Sequence, residues 1–288
     1  MSNECYPSSG FLPKGKLVIR IAPWQNLQKY VTEAQNLQNS DPPLPNQVQT
    51  VLVELNDAAQ DLHSNVLPKA NELLNSLYNF GSTANATFNA LKALMSQAEP
   101  TKSAIESLLG SLKLAAITAQ KTTFAVVDGL TNFGIVTTDG GKALTSLLET
   151  TKTSISQSNT TIVSAVQDLN QQLAATNLDI GIIHGGMQTI KQVAGELAGI
   201  ELTGLTFPVD VALTAEKNAA ADISALSQAW GVLVNQLTNL LTKVIDDKVD
   251  LQQELCFSEL ALTAASKAWS KIAAEAHDHM MKFYITPQ

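Results

Sequence analysis

The sequence has few charged residues and no basic run. Of its 288 residues only 15% are charged, and the formal net charge is −8. A nucleic-acid-binding surface needs clustered lysine and arginine to neutralise phosphates, and attraction to anionic lipid needs a polybasic segment. The composition therefore excludes nucleic acid as an expected partner, and it does not favour attraction to an anionic membrane by charge alone.

Long apolar runs are also absent. No stretch of about 18 uncharged apolar residues occurs, which is the length that a ready-made transmembrane helix requires. Residues 1–25 lack the unbroken apolar core of a signal peptide, since Pro7, Gly10, Pro13 and Gly15 interrupt them. The resting protein is therefore expected to be soluble, without an evident signal peptide.

Side chains for catalysis and metal binding are scarce. The chain has four histidines, and neither a P-loop nor a G-x-S-x-G motif is present. His277 and His279 are two residues apart, so they do not share a helix face as a metal pair would. We therefore expect no enzyme activity, no cofactor and no metal site.

Two cysteines are too few for a disulfide scaffold. Cys5 and Cys256 allow two interpretations. In one, a single bridge ties the N-terminal tail to the last helices. In the other, both remain thiols, one exposed and one buried.

Apolar residues dominate what is present, and they recur at alternating steps of three and four, which is the spacing of a helix face. The stripes are Leu52, Leu55, Ala59, Leu62, Val66, Leu73, Leu77, Phe80; Ile105, Leu109, Leu112, Ala116, Ala119, Val126, Leu130, Phe133; Leu144, Leu148, Ile155, Ile162, Val166, Leu169, Leu173; Ile223, Leu226, Trp230, Leu233, Leu237, Leu240, Val244; and Leu255, Leu262, Ala265, Trp269, Ile272, Ala276. These stripes predict a mainly α fold, an elongated bundle of about five long helices.

Several segments interrupt this helical pattern. Ser40–Asn46 contains three prolines and must interrupt a helix, and Pro68 predicts a kink. The sequence around Gly81 predicts a bend or weak point, and Thr137–Gly141 can end or turn a helix. Lys16–Ile21 is β-branched enough to predict a short strand.

The segment from residue 200 to residue 213 leaves the helical rhythm. Apolar and polar residues alternate there, which is typical of a strand with one apolar face. We expect a short β-hairpin, or tongue, that turns at Thr203–Gly204 and carries one set of apolar side chains: Ile200, Leu202, Leu205, Phe207, Val209, Val211 and Leu213. Its hinge residues are expected to be Gly195, Gly199, Gly204 and Pro208.

Together these patterns predict three regions. Residues 1–22 form an N-terminal loop and short strand, and residues 23–178 and 214–288 form a helical-bundle tail. Residues 179–213 form a small head with a short helix and the β-hairpin.

Three stretches of the chain resemble one toxin family. They are LVELNDAAQDLHSNVLPKANELLNSLYNF (52–80), VVDGLTNFGIVTTDGGKALTSLL (126–148), and the pair AWGVLVNQLTNLL (229–241) with AWSKIAAEA (268–276). In their order of apolar residues and in the tryptophan-bearing closing helices, they are similar to the α-helical pore-forming toxins of the cytolysin A type. That group includes the haemolysin BL and non-haemolytic enterotoxin components, and the match runs from about Val48 to Tyr284.

The resemblance implies a secreted, soluble cytotoxin or toxin component that binds a host membrane or a receptor through its head, with the apolar side chains of the tongue as the membrane-interacting residues. It then oligomerises into a homo- or hetero-oligomeric pore. One departure bears on partners: the head segment carries Lys191, Glu196, Glu201 and Asp210, whereas self-inserting relatives often have a longer, nearly uncharged head. This departure favours a component that works with homologous partner proteins, or one whose head recognises a receptor. The alternative function is a coiled-coil structural or adaptor protein without membrane activity.

Overall fold

The structure is a computed structural model, and it describes residues 5–37, 46–174, 181–246 and 250–283, with side chains over 5–35, 49–147, 209–246 and 250–283. The chain divides into two compact units. The first holds residues 1–29, 60–134 and 214–288, and the second holds residues 30–59 and 135–213. The described part of the predicted head, residues 181–213, belongs to the second unit, whereas the three predicted regions themselves stay predictions.

Over the described residues the fold is mainly helical, with five long helical runs, the number predicted. Two of the predicted stripes, Ile105–Phe133 and Leu144–Leu173, lie on one helix, and the first run carries none of the five stripes. The helices are α1 (Ile21–Leu37), α2 (Asn46–Asp61), α3 (Leu67–Met95), α4 (Lys102–Ala174), α5 (Gly181–Ile245) and α6 (Glu259–Phe283). A π-helical turn, Leu62–Val66, joins α2 to α3 as one run, and short 3-10 turns lie at Pro13–Gly15 and Leu255–Phe257. No strand occurs among the residues that the structure describes.

The apolar stripes form the interior. Every stripe residue whose side chain is described is buried except one, Leu255, which is 69% exposed because it lies in the 3-10 turn before α6 and not on a helix face. Residues 148–173 of the third stripe lie outside the described side chains. The three-and-four spacing therefore predicts the buried face of these helices correctly wherever it can be compared.

An aromatic cluster fills the centre of the first unit. Trp230 of α5 and Trp269 of α6 stack with ring centroids 6.3 Å apart. Phe80 of α3 meets both rings edge-on, at 4.9 Å and 4.7 Å. Phe11 from the N-terminal segment packs at 4.7 Å from Trp230 and 4.9 Å from Trp269. Four separate parts of the chain thus share one core. Edge-to-face contacts between aromatic rings stabilise such a core beyond the burial of apolar area.

The irregularity predicted at Pro68 takes a specific form. Pro68 stands at the second residue of α3, where its missing N–H costs little, and the π-helical turn Leu62–Val66 directly precedes it. The predicted proline break at Ser40–Asn46 lies almost wholly outside the described residues, and α2 begins at Asn46.

Three local predictions are wrong. Lys16–Arg20 is irregular backbone and not a strand, and α1 begins at Ile21. Helix α3 continues through Gly81, and α4 continues through Thr137–Gly141. In both helices the glycines allow close packing against a neighbour, so they do not end the helix.

The predicted β-hairpin is also wrong: residues 200–213 are helical and belong to α5. The reason lies in helical geometry. At 100° per residue, alternate positions over this stretch fall on two opposite faces of a helix, so period-two alternation does not distinguish a strand from a helix with two apolar faces. Val209, Ala212, Ala215 and Ala219 are all buried, and they are spaced three or four residues apart as on one face of a helix. Because most of them are small, this helical pattern is less evident in the sequence than the alternation of the larger apolar residues.

Gly81 marks a close approach of α3 to α6. A Cβ at this position would lie 2.7 Å from the backbone oxygen of Trp269 and 2.9 Å from the Cβ of Ala273. Because backbone atoms cannot move aside cheaply, Gly81→Ala is expected to lower the free energy of unfolding by about 1–3 kcal/mol, despite the better helix propensity of alanine. Urea denaturation followed by circular dichroism measures this change.

The matched control is Gly110→Ala in α4, where an added Cβ meets nothing within 4 Å. This variant is expected to raise the free energy of unfolding by about 0.5–1 kcal/mol through propensity alone. Equal effects at the two glycines would show that the α3–α6 contact does not require Gly81.

Candidate membrane-binding segment and the unit that anchors it

Helices α4 and α5 approach each other closely within the second unit. The position of a Cβ on Gly141 of α4 lies 2.7 Å from Cγ1 of Val209 of α5, and that of a Cβ on Gly140 lies 2.5 Å from Cδ2 of Leu55 of α2. Paired glycines on α4 therefore receive apolar side chains from two different helices. Gly140–Gly141, predicted as a helix end, is a packing site.

Val209 is the first predicted membrane-interacting residue whose side chain is described. It is 3% exposed, whereas Val211 and Leu213 are half-buried. Ile200, Leu202, Leu205 and Phe207 lie in the helical backbone of α5, and their side chains are outside the described set. At rest, Val209 is therefore packed against Gly141 and not presented to a membrane.

The predicted hinge residues all lie inside α5. The helix runs from Gly181 through Gly195, Gly199, Gly204 and Pro208 without an end. Pro208 has no N–H, so the carbonyl of Gly204 lacks its i→i−4 hydrogen bond at this point. A role for these positions as hinges stays a prediction.

The N-terminal segment from Cys5 to Arg20, here called the N-terminal strap, is a feature that sequence reasoning missed. Its Phe11 is fully buried between the two tryptophans, and Leu17 and Ile19 are buried as well. Gly10 lies against Ala229 of α5, where a Cβ would come within 2.9 Å of the alanine Cβ. One signal in the sequence could have indicated this packing. The segment is rich in apolar residues although its prolines and glycines disfavour a helix.

Arg20 closes the C-terminal end of the strap. Its Nε donates to both carboxylate oxygens of Asp222 at 3.0 Å, and its Nη2 donates to Oδ1 at 2.8 Å. The backbone N–H of Arg20 also donates to the same carboxylate. This hydrogen bonding raises the pKa of the Arg20 guanidinium, and such bidentate pairing fixes orientation as well as charge.

A disulfide closes the other end of the strap. Cys5 and Cys256 are bonded, which confirms the first of the two interpretations of the cysteine pair. Beside the bridge, the hydroxyl of Tyr6 donates to the backbone oxygen of Cys256 at 3.0 Å. Burial raises the pKa of this tyrosine, with a smaller contribution from Glu254, so the hydroxyl remains a donor across the ordinary pH range.

Neither a membrane-spanning helix nor a metal site occurs in the described part of the chain. No helix there is both long and apolar enough to cross a bilayer. No group of three or more histidine, cysteine, aspartate or glutamate side chains is arranged there to hold a metal ion.

Comparison with solved structures gives close matches along nearly the whole chain. The soluble form of SmhA from Serratia marcescens, a component of the tripartite α-pore-forming toxin Smh, superposes with a TM-score of 0.62 at 12% identity, over 91% of each chain. This chain has the fold of a tripartite α-pore-forming toxin component.

Two further structures agree. The HblL1 toxin component of Bacillus cereus matches with a TM-score of 0.57 at 12% identity, over 93% of this chain and 97% of that one. The SmhB pore of Serratia marcescens matches with a TM-score of 0.58 at 14% identity, over 96% and 99%. One matched structure is thus a soluble component and another is a pore.

At the level of sequence, no family model and no curated protein matches the chain. The likeness is therefore carried by the helix order and packing, with identity of 12–14% to the three structures named above.

Proposed function

We propose that this chain is one component of a multi-component pore-forming toxin. It acts from outside on a target cell membrane, which it binds directly or through a receptor, and it assembles there with homologous components. The observation that carries this proposal is the fold, which matches a soluble tripartite-toxin component and a toxin pore over more than nine-tenths of the chain.

The segment proposed to meet the membrane is residues 181–213 of α5. With 100° per residue, positions 202, 205, 209 and 213 share one face of the helix, and positions 200, 207 and 211 share the opposite face. All seven positions are apolar. A helix that is apolar on two sides suits burial in protein on one side and contact with lipid on the other.

Charge on the same segment supports a need for partners. Lys191, Glu196, Glu201 and Asp210 interrupt its apolar character, and ionised side chains are expensive to place in hydrocarbon. Pairing these charges with a neighbouring subunit, or leaving them at the headgroup level, lowers that cost. We therefore propose that membrane insertion requires homologous components.

The direct test is dye release from liposomes and lysis of erythrocytes, measured for the chain alone and mixed with candidate homologous components from the same source. Lysis is expected only in the mixtures. The quadruple variant Ile200→Asn, Leu202→Asn, Leu205→Asn and Phe207→Asn is expected to reduce lysis at least tenfold, because each asparagine adds a polar group that hydrocarbon penalises.

The matched control places asparagine at two apolar residues that are exposed elsewhere, Leu260 (82% exposed) and Met281 (74% exposed). This double variant should lyse cells as the unmodified chain does. Absence of membrane binding and of leakage in every mixture would contradict the proposal and favour an adaptor function instead.

A further inference from the structure

A largely buried glutamate lies on the contact between α4 and α5 in the first unit. Glu216 of α5 is 8% exposed. The position of a Cβ on Gly134 of α4 lies 2.9 Å from Cδ of Glu216 and 3.0 and 3.1 Å from its two carboxylate oxygens. The carboxyl group therefore occupies the space that any larger residue at position 134 would fill.

This carboxylate has no counter-charge on the surfaces that enclose it. Within the described part of the chain, Glu216 makes neither an ion pair nor a hydrogen bond through its side chain. Helix α4 carries no charged residue between Asp128 and Asp139, and α5 carries only Lys217 between Asp210 and Asp222, apart from Glu216 itself. Burial raises the pKa of Glu216, and Lys217 opposes this only in part.

Charged groups on the neighbouring elements do not neutralise the Glu216 carboxylate either. Val66 packs on α4 at Gly129, and the titratable residues beside it in sequence, Asp61, His63 and Lys69, are exposed. Arg20 of the N-terminal strap is engaged by Asp222.

We propose that Glu216 is a pH-sensitive latch between α4 and α5: its neutral acid form keeps the two helices in contact at Gly134, and its ionised form loosens them. Gly134 is the residue of α4 at which the first unit ends, and Thr214 is the residue of α5 at which that unit resumes. The latch therefore lies where both helices leave the first unit. This inference holds whether or not the chain forms pores.

The direction of the pH effect follows from linkage. The pKa of Glu216 in the folded protein is above its ordinary value of 4.5. A carboxyl group with a raised folded pKa gives its full stabilisation below the unfolded pKa and loses it as the pH rises through the folded pKa. Acid therefore holds the latch closed, and at neutral pH the buried charge favours separation of the helices.

The test compares the unmodified chain with Glu216→Gln, which keeps the shape of the side chain and removes its ionisation. Hydrogen–deuterium exchange of the amides in 130–137 and 212–219 is measured at pH 4 and pH 7.5 and corrected for the intrinsic chemical rate. At pH 7.5 the variant is expected to exchange more slowly in both segments, on the order of tenfold, because its side chain carries no charge to be buried. At pH 4 the two proteins should exchange alike.

Glu106→Gln is the matched control, because Glu106 is an exposed glutamate on the same helix α4; it should leave both exchange profiles unchanged. Faster or equal exchange in Glu216→Gln at pH 7.5, or a difference of the same size at both pH values, would overturn the latch. Since no membrane or partner protein enters the experiment, its failure would leave the proposed toxin function untouched.

Discussion

Trp269→Ala is expected to lower the free energy of unfolding by about 3–5 kcal/mol, the largest effect of any single substitution proposed for this chain. Trp269 is fully buried, and its ring contacts Phe11, Phe80 and Trp230. Truncation removes one ring from a core that four parts of the chain share, and it leaves a cavity that the remaining rigid rings fill poorly. Urea denaturation followed by far-UV circular dichroism measures the loss.

Met281→Ala is the control for this experiment, because Met281 lies on the same helix α6 and is 74% exposed. Its effect should stay within about 0.5 kcal/mol, as for other surface substitutions. A loss below about 1 kcal/mol in Trp269→Ala would mean that the aromatic cluster does not hold the first unit together.

Reduction of the Cys5–Cys256 disulfide is expected to lower the free energy of unfolding by about 2–5 kcal/mol. The bridge joins residues that are 251 positions apart, so it restricts nearly the whole unfolded chain. In the folded protein it anchors the N-terminal strap beside the hydrogen bond from Tyr6 to the Cys256 oxygen. The measurement is the urea denaturation midpoint with and without dithiothreitol.

The double variant Cys5→Ser, Cys256→Ser supplies the control for nonspecific effects of the reductant. Its midpoint should equal that of the reduced protein and should not respond to dithiothreitol. An unchanged midpoint on reduction of the unmodified chain would show that the strap is held by Phe11 and Arg20 alone.

The helical core could be predicted from sequence because its signal is local and repeated. Each stripe, such as Ile223 to Val244, spans several turns, so a single misread position does not change the predicted period. Trp230 and Trp269 lie on these stripes, and both are fully buried in the structure.

Residues 200–213 could not be assigned correctly because two geometries produce the same pattern. Apolar residues at alternate positions satisfy one strand face or two helix faces, and the choice depends on what packs nearby. At the C-terminal end of the stretch, Val209 packs against Gly141 of α4, which favours the helical geometry. This contact joins residues far apart in sequence, so it cannot be predicted from the local sequence pattern.

Glycine was misread for a similar reason. The sequence around Gly81 predicts a bend or weak point, and Thr137–Gly141 predicts the end or a turn of a helix. Their helices continue because a partner occupies the space above each one, the Trp269 backbone oxygen at Gly81 and Leu55 at Gly140. The N-terminal strap and the buried Glu216 likewise depend on tertiary contacts that leave little trace in the local sequence.

Conductance across a planar lipid bilayer tests the central claim most directly. With this chain and its homologous components on one side, the account predicts discrete, stepwise increases in current, which disappear when this chain is omitted. A bilayer that stays non-conducting with every combination of components, while the same mixtures remain folded and soluble, would contradict the claim that this helical protein is part of a pore.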